Sequence, residues 1–258
     1  MFWSIALIAL LIQWVAFVPA FARRTERFYD LVGSATFITA TVLAVRASWP
    51  LDLRAALLAL VVVTWALRLG SYLVGRIRRA GRDDRFDEIK QSAPRFLLAW
   101  TLQGLWVIIT SAPAVLGILS ERRAAADVAL VVGFILWVAG FSIEVIADGQ
   151  KARFAADPRN RGRFIATGLW ARSRHPNYFG EILLWVGVTV MAMPVLAGWE
   201  RLALVSPLFV TWLLTRVSGI PMLERKAESR WGSDPSYRAW KERTPRLVPR
   251  ISGGPGAA

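Results

Sequence analysis

Apolar residues in this chain come in long unbroken runs rather than at alternating or amphipathic spacing. Runs at about 1–22, 29–47, 52–75, 96–119, 126–148, 179–197 and 199–217 each approach the roughly 20 residues needed to cross a bilayer's hydrocarbon. The pattern predicts an all-α, polytopic membrane protein of about seven transmembrane helices. Strand-like alternation, internal repeats, a G-x-x-x-x-G-K-[ST] loop and a G-x-G-x-x-G turn after a strand are all missing from the sequence, so a bound nucleotide would sit outside a Rossmann fold. The first run ends in "FVPAFARR", a small-residue site like that of a signal peptide. It has no basic n-region and further spans follow it, so it is read as the first helix.

Charge orients the spans. Arg23, Arg24 and Arg27, seven Arg/Lys between 76 and 95, seven between 151 and 174, and nine from Arg216 onward fall on one face, against Arg46, Arg54, Arg122, Arg123 and Arg201 on the other. Basic loops stay in the cytosol, so the expected N-terminus is outside, the long functional loops are inside, and the asymmetry supports an odd number of spans. The net charge of +14 is thereby a topology signal, with no nucleic-acid partner implied. The expected setting is a membrane with its basic face toward the cytosol.

The chain reads as one integral membrane domain over 1–250 followed by a disordered tail at 251–258. After Glu224 the sequence turns amphipathic. "DPSYRAWKER" offers Asp234 as N-cap and Pro235 as first helical residue, predicting a short helix against the cytosolic surface. The chain has no cysteine and a single histidine, which excludes disulfides, thiolate metal sites and cysteine nucleophiles and leaves no zinc motif.

Ionisable residues inside spans cost free energy and are candidates for function. Arg68, in "TWALRLGSYL", either snorkels or holds a ligand, with Tyr72 one turn on as its neighbour. Glu144 and Asp148, at i and i+4, share a helix face near the expected end of the fifth span, where the macrodipole disfavours them. They either pair with Lys151 and Arg153 or bind a ligand. In "RSRHPNYFGE" (172–181), Pro176 suits a first helical turn, and Asn177, Tyr178 and Glu181 then share one face. The free N–H groups of that helix start, beside Arg172, Arg174 and His175, suit an anion. Glu224 is expected to close the seventh span, with Pro221 breaking it a turn earlier.

The segments "GLWARSRHPNYFGEILLWVG", "EVIADGQKARF" and "SGIPMLE" together resemble a bacterial membrane family related to steroid 5-alpha-reductases. "RHPNY.G" is also similar to the sterol C14 and delta-7 reductases and, more distantly, to the isoprenylcysteine methyltransferases. The resemblance implies an enzyme that reduces a carbon–carbon double bond, of enone type, in a steroid-like or other apolar lipid, with NADPH as hydride source. It implies cofactor contacts at Arg68, Asp148, Asn177 and Glu181, to which the residue reading adds Glu144, Lys151, Arg172, Arg174, His175 and Glu224. Where the family carries a catalytic tyrosine this chain has Trp65, so Tyr178 and Tyr72 are the candidates for proton donor. Two rivals follow from the same residues. One is an S-adenosylmethionine-dependent membrane methyltransferase of isoprenylcysteine or phospholipid type, against which heavy local arginine counts. The other is a non-catalytic lipid-binding membrane protein.

Overall fold

In the computed structural model, which describes residues 1–80, 83 and 86–250, no strand occurs among the described residues. Seven helical segments there are long and apolar enough to cross a membrane: Phe2–Ala22, Tyr29–Ser48, Leu53–Ile77, Ala93–Leu119, Val128–Ala156, Pro176–Val195 and Gly198–Trp231. The all-α polytopic expectation holds, since a backbone in hydrocarbon must satisfy its hydrogen bonds within the helix. The expected tail, 251–258, lies outside the described residues.

The chain divides into two compact units, Met1–Gly133 with Val188–Ser206, and Phe134–Gly187 with Pro207–Ala258. In the first, α1 (Phe2–Ala22), α2 (Tyr29–Ser48), α3 (Leu53–Ala80) and α4 (Ala93–Leu119) form a bundle in which α4 packs on the other three. Lipid tails are as apolar as leucine, so burial alone does little to drive helices together there, and close packing and interhelical hydrogen bonds must contribute. The bundle supplies both. Gln13 is fully buried and donates to Thr36 Oγ1 at 2.8 Å, and Gln103 donates to the Tyr29 carbonyl at 3.1 Å. Arg54 is buried against Asp127 at 2.9 Å and donates to the carbonyls of Met191 and Ala125.

The second unit holds most of α5 (Val128–Ala156), the start of α6 (Pro176–Ala192), and α7 (Ser206–Trp212) from its second residue. It continues through α8 (Ile220–Trp231) and α9 (Pro235–Arg243). Gly140 and Gly180 let α5 and α6 touch backbone to backbone. A Cβ on Gly180 would stand 2.6 Å from the Gly140 carbonyl oxygen and 2.7 Å from the Glu144 nitrogen, and one on Gly140 would stand 2.5 Å from the Leu184 nitrogen. Such a crossing is the small-residue contact by which membrane helices come closest.

Three boundaries differ from expectation. Helix α5 runs two turns past Asp148, because "GQKARFAA" contains good helix formers. Asp148 is therefore not at a C-terminal helix end, and the macrodipole argument made for it lapses. The last span is also not one regular helix closed by Glu224. A π turn at Leu213–Val217 ends it, and α8 begins afresh at Ile220. Pro221 sits in the first turn of α8, where its missing N–H costs nothing. It starts a helix rather than breaking one, and Glu224 lies in the second turn of α8 rather than at a C-terminal helix end. The tail helix forms as expected, with Asp234 accepting from the Ser236 N–H and Pro235 first.

Gly180→Ala is expected to lower stability by about 1–3 kcal/mol, the usual cost of forcing atoms into a closed contact. Gly149→Ala, whose Cβ would meet only the Arg153 side chain at 3.4 Å, is expected to gain about 0.5–1 kcal/mol from helix propensity. Thermal unfolding of the purified protein in one detergent compares the two.

Candidate functional site

The site is built outward from the Gly140–Gly180 contact. Gly140, Glu144 and Asp148 follow one another at four-residue spacing along a stripe of α5, which the two glycines lay against the first turns of α6. In this antiparallel register Asn177 meets Asp148, its Nδ2 donating to Oδ1 at 3.2 Å. Glu144, Asp148 and Glu181 are all buried. Ionisable groups so placed within a span are costly, and retaining three of them in one place needs a reason beyond packing. Asn177 Oδ1 is buried without a hydrogen-bond partner among the described residues. It offers an acceptor to a ligand's N–H or O–H.

Next to this stripe the same unit forms a half-open cavity of about 220 Å³. Phe164, Trp170, Trp231, Tyr237 and Trp240 give it flat apolar walls, while Lys151, Arg174, Lys226 and Arg230 give it positive charge. The aromatic walls are locked by hydrogen bonds: Trp170 Nε1 donates to the Ala147 carbonyl and Trp240 Nε1 to the Trp170 carbonyl, at 3.0 and 3.1 Å. Lys151 Nζ lies 4.8 Å from the centroid of the Trp170 ring, a cation–π distance. At about 220 Å³ the cavity falls below the roughly 300–1,000 Å³ of drug-sized sites. It admits one moiety of a large ligand, the remainder extending beyond its walls.

His175 and Glu224 also line the cavity. Glu224 Oε1 accepts from Arg174 Nη1 at 2.6 Å and lies 3.4 Å from His175 Nε2, and Arg246 Nε stands 3.9 Å from Oε2. His175 is 6% exposed. Burial lowers its pKa to about 4; the Glu224 carboxylate works against that shift, and the positive charges of Lys151 and Arg174 reinforce it. Tyr178 stacks on the imidazole, 13° from parallel with centroids 5.9 Å apart.

Of the residues singled out in the sequence, the structure thus gathers Glu144, Asp148, Lys151, Arg174, His175, Asn177, Tyr178, Glu181 and Glu224 into one unit, as a helix-face stripe and a cavity wall. The Arg172 side chain is exposed and is not part of the cavity wall. Arg68 and Tyr72 belong to the other unit, where the guanidinium carbon lies 5.3 Å from the Tyr72 ring centroid, the neighbour relation expected of them. Trp65 is fully buried in that unit against Phe37. The sequence reading missed the aromatic wall. Its residues come from 164, 170, 231, 237 and 240, and only the three-residue step from Tyr237 to Trp240 hinted that one face of α9 is buried.

The family described as "Protein of unknown function (DUF1295)" matches residues 16–244. The chain belongs to this family. A curated relative, an uncharacterized protein of Schizosaccharomyces pombe, is 24% identical over 230 residues, an alignment covering 78% of this chain and 64% of the relative. The DUF1295 chain therefore spans a little under two thirds of that relative's length. No solved structure matches it significantly.

The low pKa of His175 fixes a pH dependence. Between about pH 4 and 6.5 the unfolded chain takes up a proton on this residue that the folded chain refuses. The stability that the neutral ring contributes is therefore complete above about pH 6.5 and is lost as pH falls toward 4, on the order of 3 kcal/mol in all. Melting temperatures measured across this range should fall more steeply for the natural protein than for His175→Asn. Parallel curves would contradict the assignment.

Proposed function

We propose that this DUF1295 protein is an NADPH-dependent membrane reductase that saturates an electron-poor carbon–carbon double bond in an apolar, steroid-like lipid. On this reading it acts in a bacterial inner membrane, with its N-terminus outside and its site opening to the cytosol. Resemblance of "RHPNYFGE" and "EVIAD" to steroid 5-alpha-reductases supplies the reaction class. The observation that carries it is the Asp148–Asn177 pair with Glu144 and Glu181 buried in a membrane-type helix crossing, next to a cationic, aromatic cavity.

The residues present suit such a cofactor. Lys151, Lys226 and Arg230 are opposite in charge to its phosphates, and planar guanidinium groups favour phosphate. The flat walls suit a heterocycle, and Asn177 Oδ1, buried without a partner among the described residues, suits an amide N–H. NADPH, when bound, supplies the hydride. The chain's own part is to orient that end through Asn177 and Glu181, to exclude water with buried helix faces, and to place an O–H against the oxygen on which negative charge develops. Tyr178 is preferred to Tyr72 for this last role because it stands in the same unit as Asn177, in the first turn of the same helix.

The methyltransferase reading retains one specific support. The aromatic walls together with Glu224 also suit a sulfonium cation, whereas the cations around them oppose it. A non-catalytic lipid-binding role predicts no response to either cofactor.

Thermal stabilisation of the detergent-purified protein by NADPH, NADH and S-adenosylmethionine separates these readings. NADPH at a hundredfold excess over its Kd should stabilise by about 2.7 kcal/mol, and Asn177→Ala or Glu181→Ala should remove that gain without loss of expression. Stabilisation by S-adenosylmethionine alone would replace the reductase with the methyltransferase.

A further inference from the structure

The cavity contains polar groups to which the reductase reading gives no role, His175 among them. His175 is buried, lines the cavity, and has an Nδ1 with no hydrogen-bond partner among the described residues. The other ring nitrogen is committed. Nε2 lies 3.4 Å from Glu224 Oε1, and an ionised carboxylate only accepts hydrogen bonds. Arg174 lies 2.6 Å from the same oxygen and Arg246 3.9 Å from the other, and both are donors only, so this carboxylate meets all its neighbours as an acceptor. The proton therefore belongs on Nε2. A second proton, on Nδ1, would add a positive charge to a buried group that already faces Lys151 and Arg174, with Glu224 as the acid opposing them.

The backbone around the ring is fixed from the C-terminal side. The Arg174 N–H donates to the Pro245 carbonyl at 2.8 Å, the Arg250 N–H to the Arg172 carbonyl at 3.1 Å, and Ser173 Oγ to the Leu247 carbonyl at 2.7 Å. Ser173 Oγ in turn accepts from the His175 N–H at 3.2 Å. Segment 245–250 thus clamps residues 172–175, and the same segment brings Arg246 to Glu224. Tyr178 stacks on the ring from α6. Position, tautomer and charge of one imidazole are all determined by groups far apart in sequence.

We propose that Glu224 is a positioning residue that holds His175 as the neutral Nε2–H tautomer, so that the Nδ1 lone pair serves as a hydrogen-bond acceptor in the cavity. The site is then specific for an occupant that presents an N–H or O–H donor as well as a flat or anionic part. Segment 245–250 is a structural part of the site rather than an appended tail. The inference stands on the unliganded protein, and only its ligand arm rests on the reductase reading.

The chain has a single histidine, so labelling with ¹⁵N-histidine gives one pair of ring signals, which couplings to Hδ2 and Hε1 assign to Nδ1 and Nε2. In the unliganded full-length protein in detergent, the expected spectrum is that of a neutral ring protonated at Nε2, unchanged between pH 5.5 and 8. A ring protonated at Nδ1, a doubly protonated ring, or ordinary titration near pH 6.5 would overturn the proposal with no variant required. In Glu224→Gln, whose amide can donate as well as accept, the Nδ1–H tautomer should appear. An unchanged spectrum in a folded Glu224→Gln protein would remove Glu224 from the role.

Saturating NADPH should move the Nδ1 signal upfield and leave Nε2 in place. If NADPH stabilises the protein but leaves Nδ1 unmoved, the acceptor role fails while the proposed function stands. If NADPH does not bind, the proposed function fails, and the tautomer assignment is decided by the unliganded spectrum alone.

Discussion

The contact between Gly140 and Gly180 is the constraint on which the rest of the second unit depends. Helices surrounded by lipid gain little from hiding leucine or valine, so their register has to come from steric fit and from hydrogen bonds. Two facing glycines give that fit, because with Cβ absent on both sides the α5 and α6 backbones touch. Once that point is fixed, helical spacing does the rest. One turn along α5 stands Glu144 and two turns along stands Asp148, while Asn177 lies three residues before Gly180 and Glu181 just after it. A polar stripe that would be costly on either helix alone becomes a paired one, with the Asp148–Asn177 hydrogen bond as its visible product.

The cavity next to it combines demands that no single helix can meet. Its rings come from the loop before α6, from α8 and from α9, and its cations from α5, the segment before α6 and α8. Positive charge and low polarity conflict unless the charges are held apart or neutralised. Glu224 neutralises Arg174, the Trp170 ring takes the Lys151 ammonium on its face, and His175 gives up its charge altogether. The outcome is a pocket that is positive toward a ligand yet apolar and flat along its aromatic walls, which favours planar groups.

How much of this is legible in the sequence varies with how local the cause is. Seven spans are legible because bilayer thickness imposes a length on each apolar run, and the starts of α6 and α9 are legible because Pro176 and the Asp234–Pro235 pair act within one turn. The Asp148–Asn177 meeting is half-legible: each residue stands out as polar in an apolar setting, but 29 positions separate them and only the glycine contact sets them opposite each other. Glu224 misleads, since it follows an apolar run, but a π turn has already ended the helix and Pro221 stands in the first turn of the next. Arg172 and Arg174 look equivalent in a basic loop. Which is exposed and which reaches Glu224 depends on the clamp by residues 245–250, which leaves no mark in local composition. Division into two compact units is illegible for the same reason, being a property of contacts between distant segments.

The central claim is that the glycine contact sets the register of the polar stripe, and the absence of cysteine from the chain makes it open to direct measurement. Asp148→Cys with Asn177→Cys, introduced together in the otherwise natural protein, should be joined in high yield by a short thiol-specific cross-linker in native membranes. The same pair with Gly140→Leu added should be joined poorly, because the helices must separate or slip. Equal cross-linking in both would mean that the stripe is aligned without the glycines, and the account of how α5 and α6 build the site would be wrong.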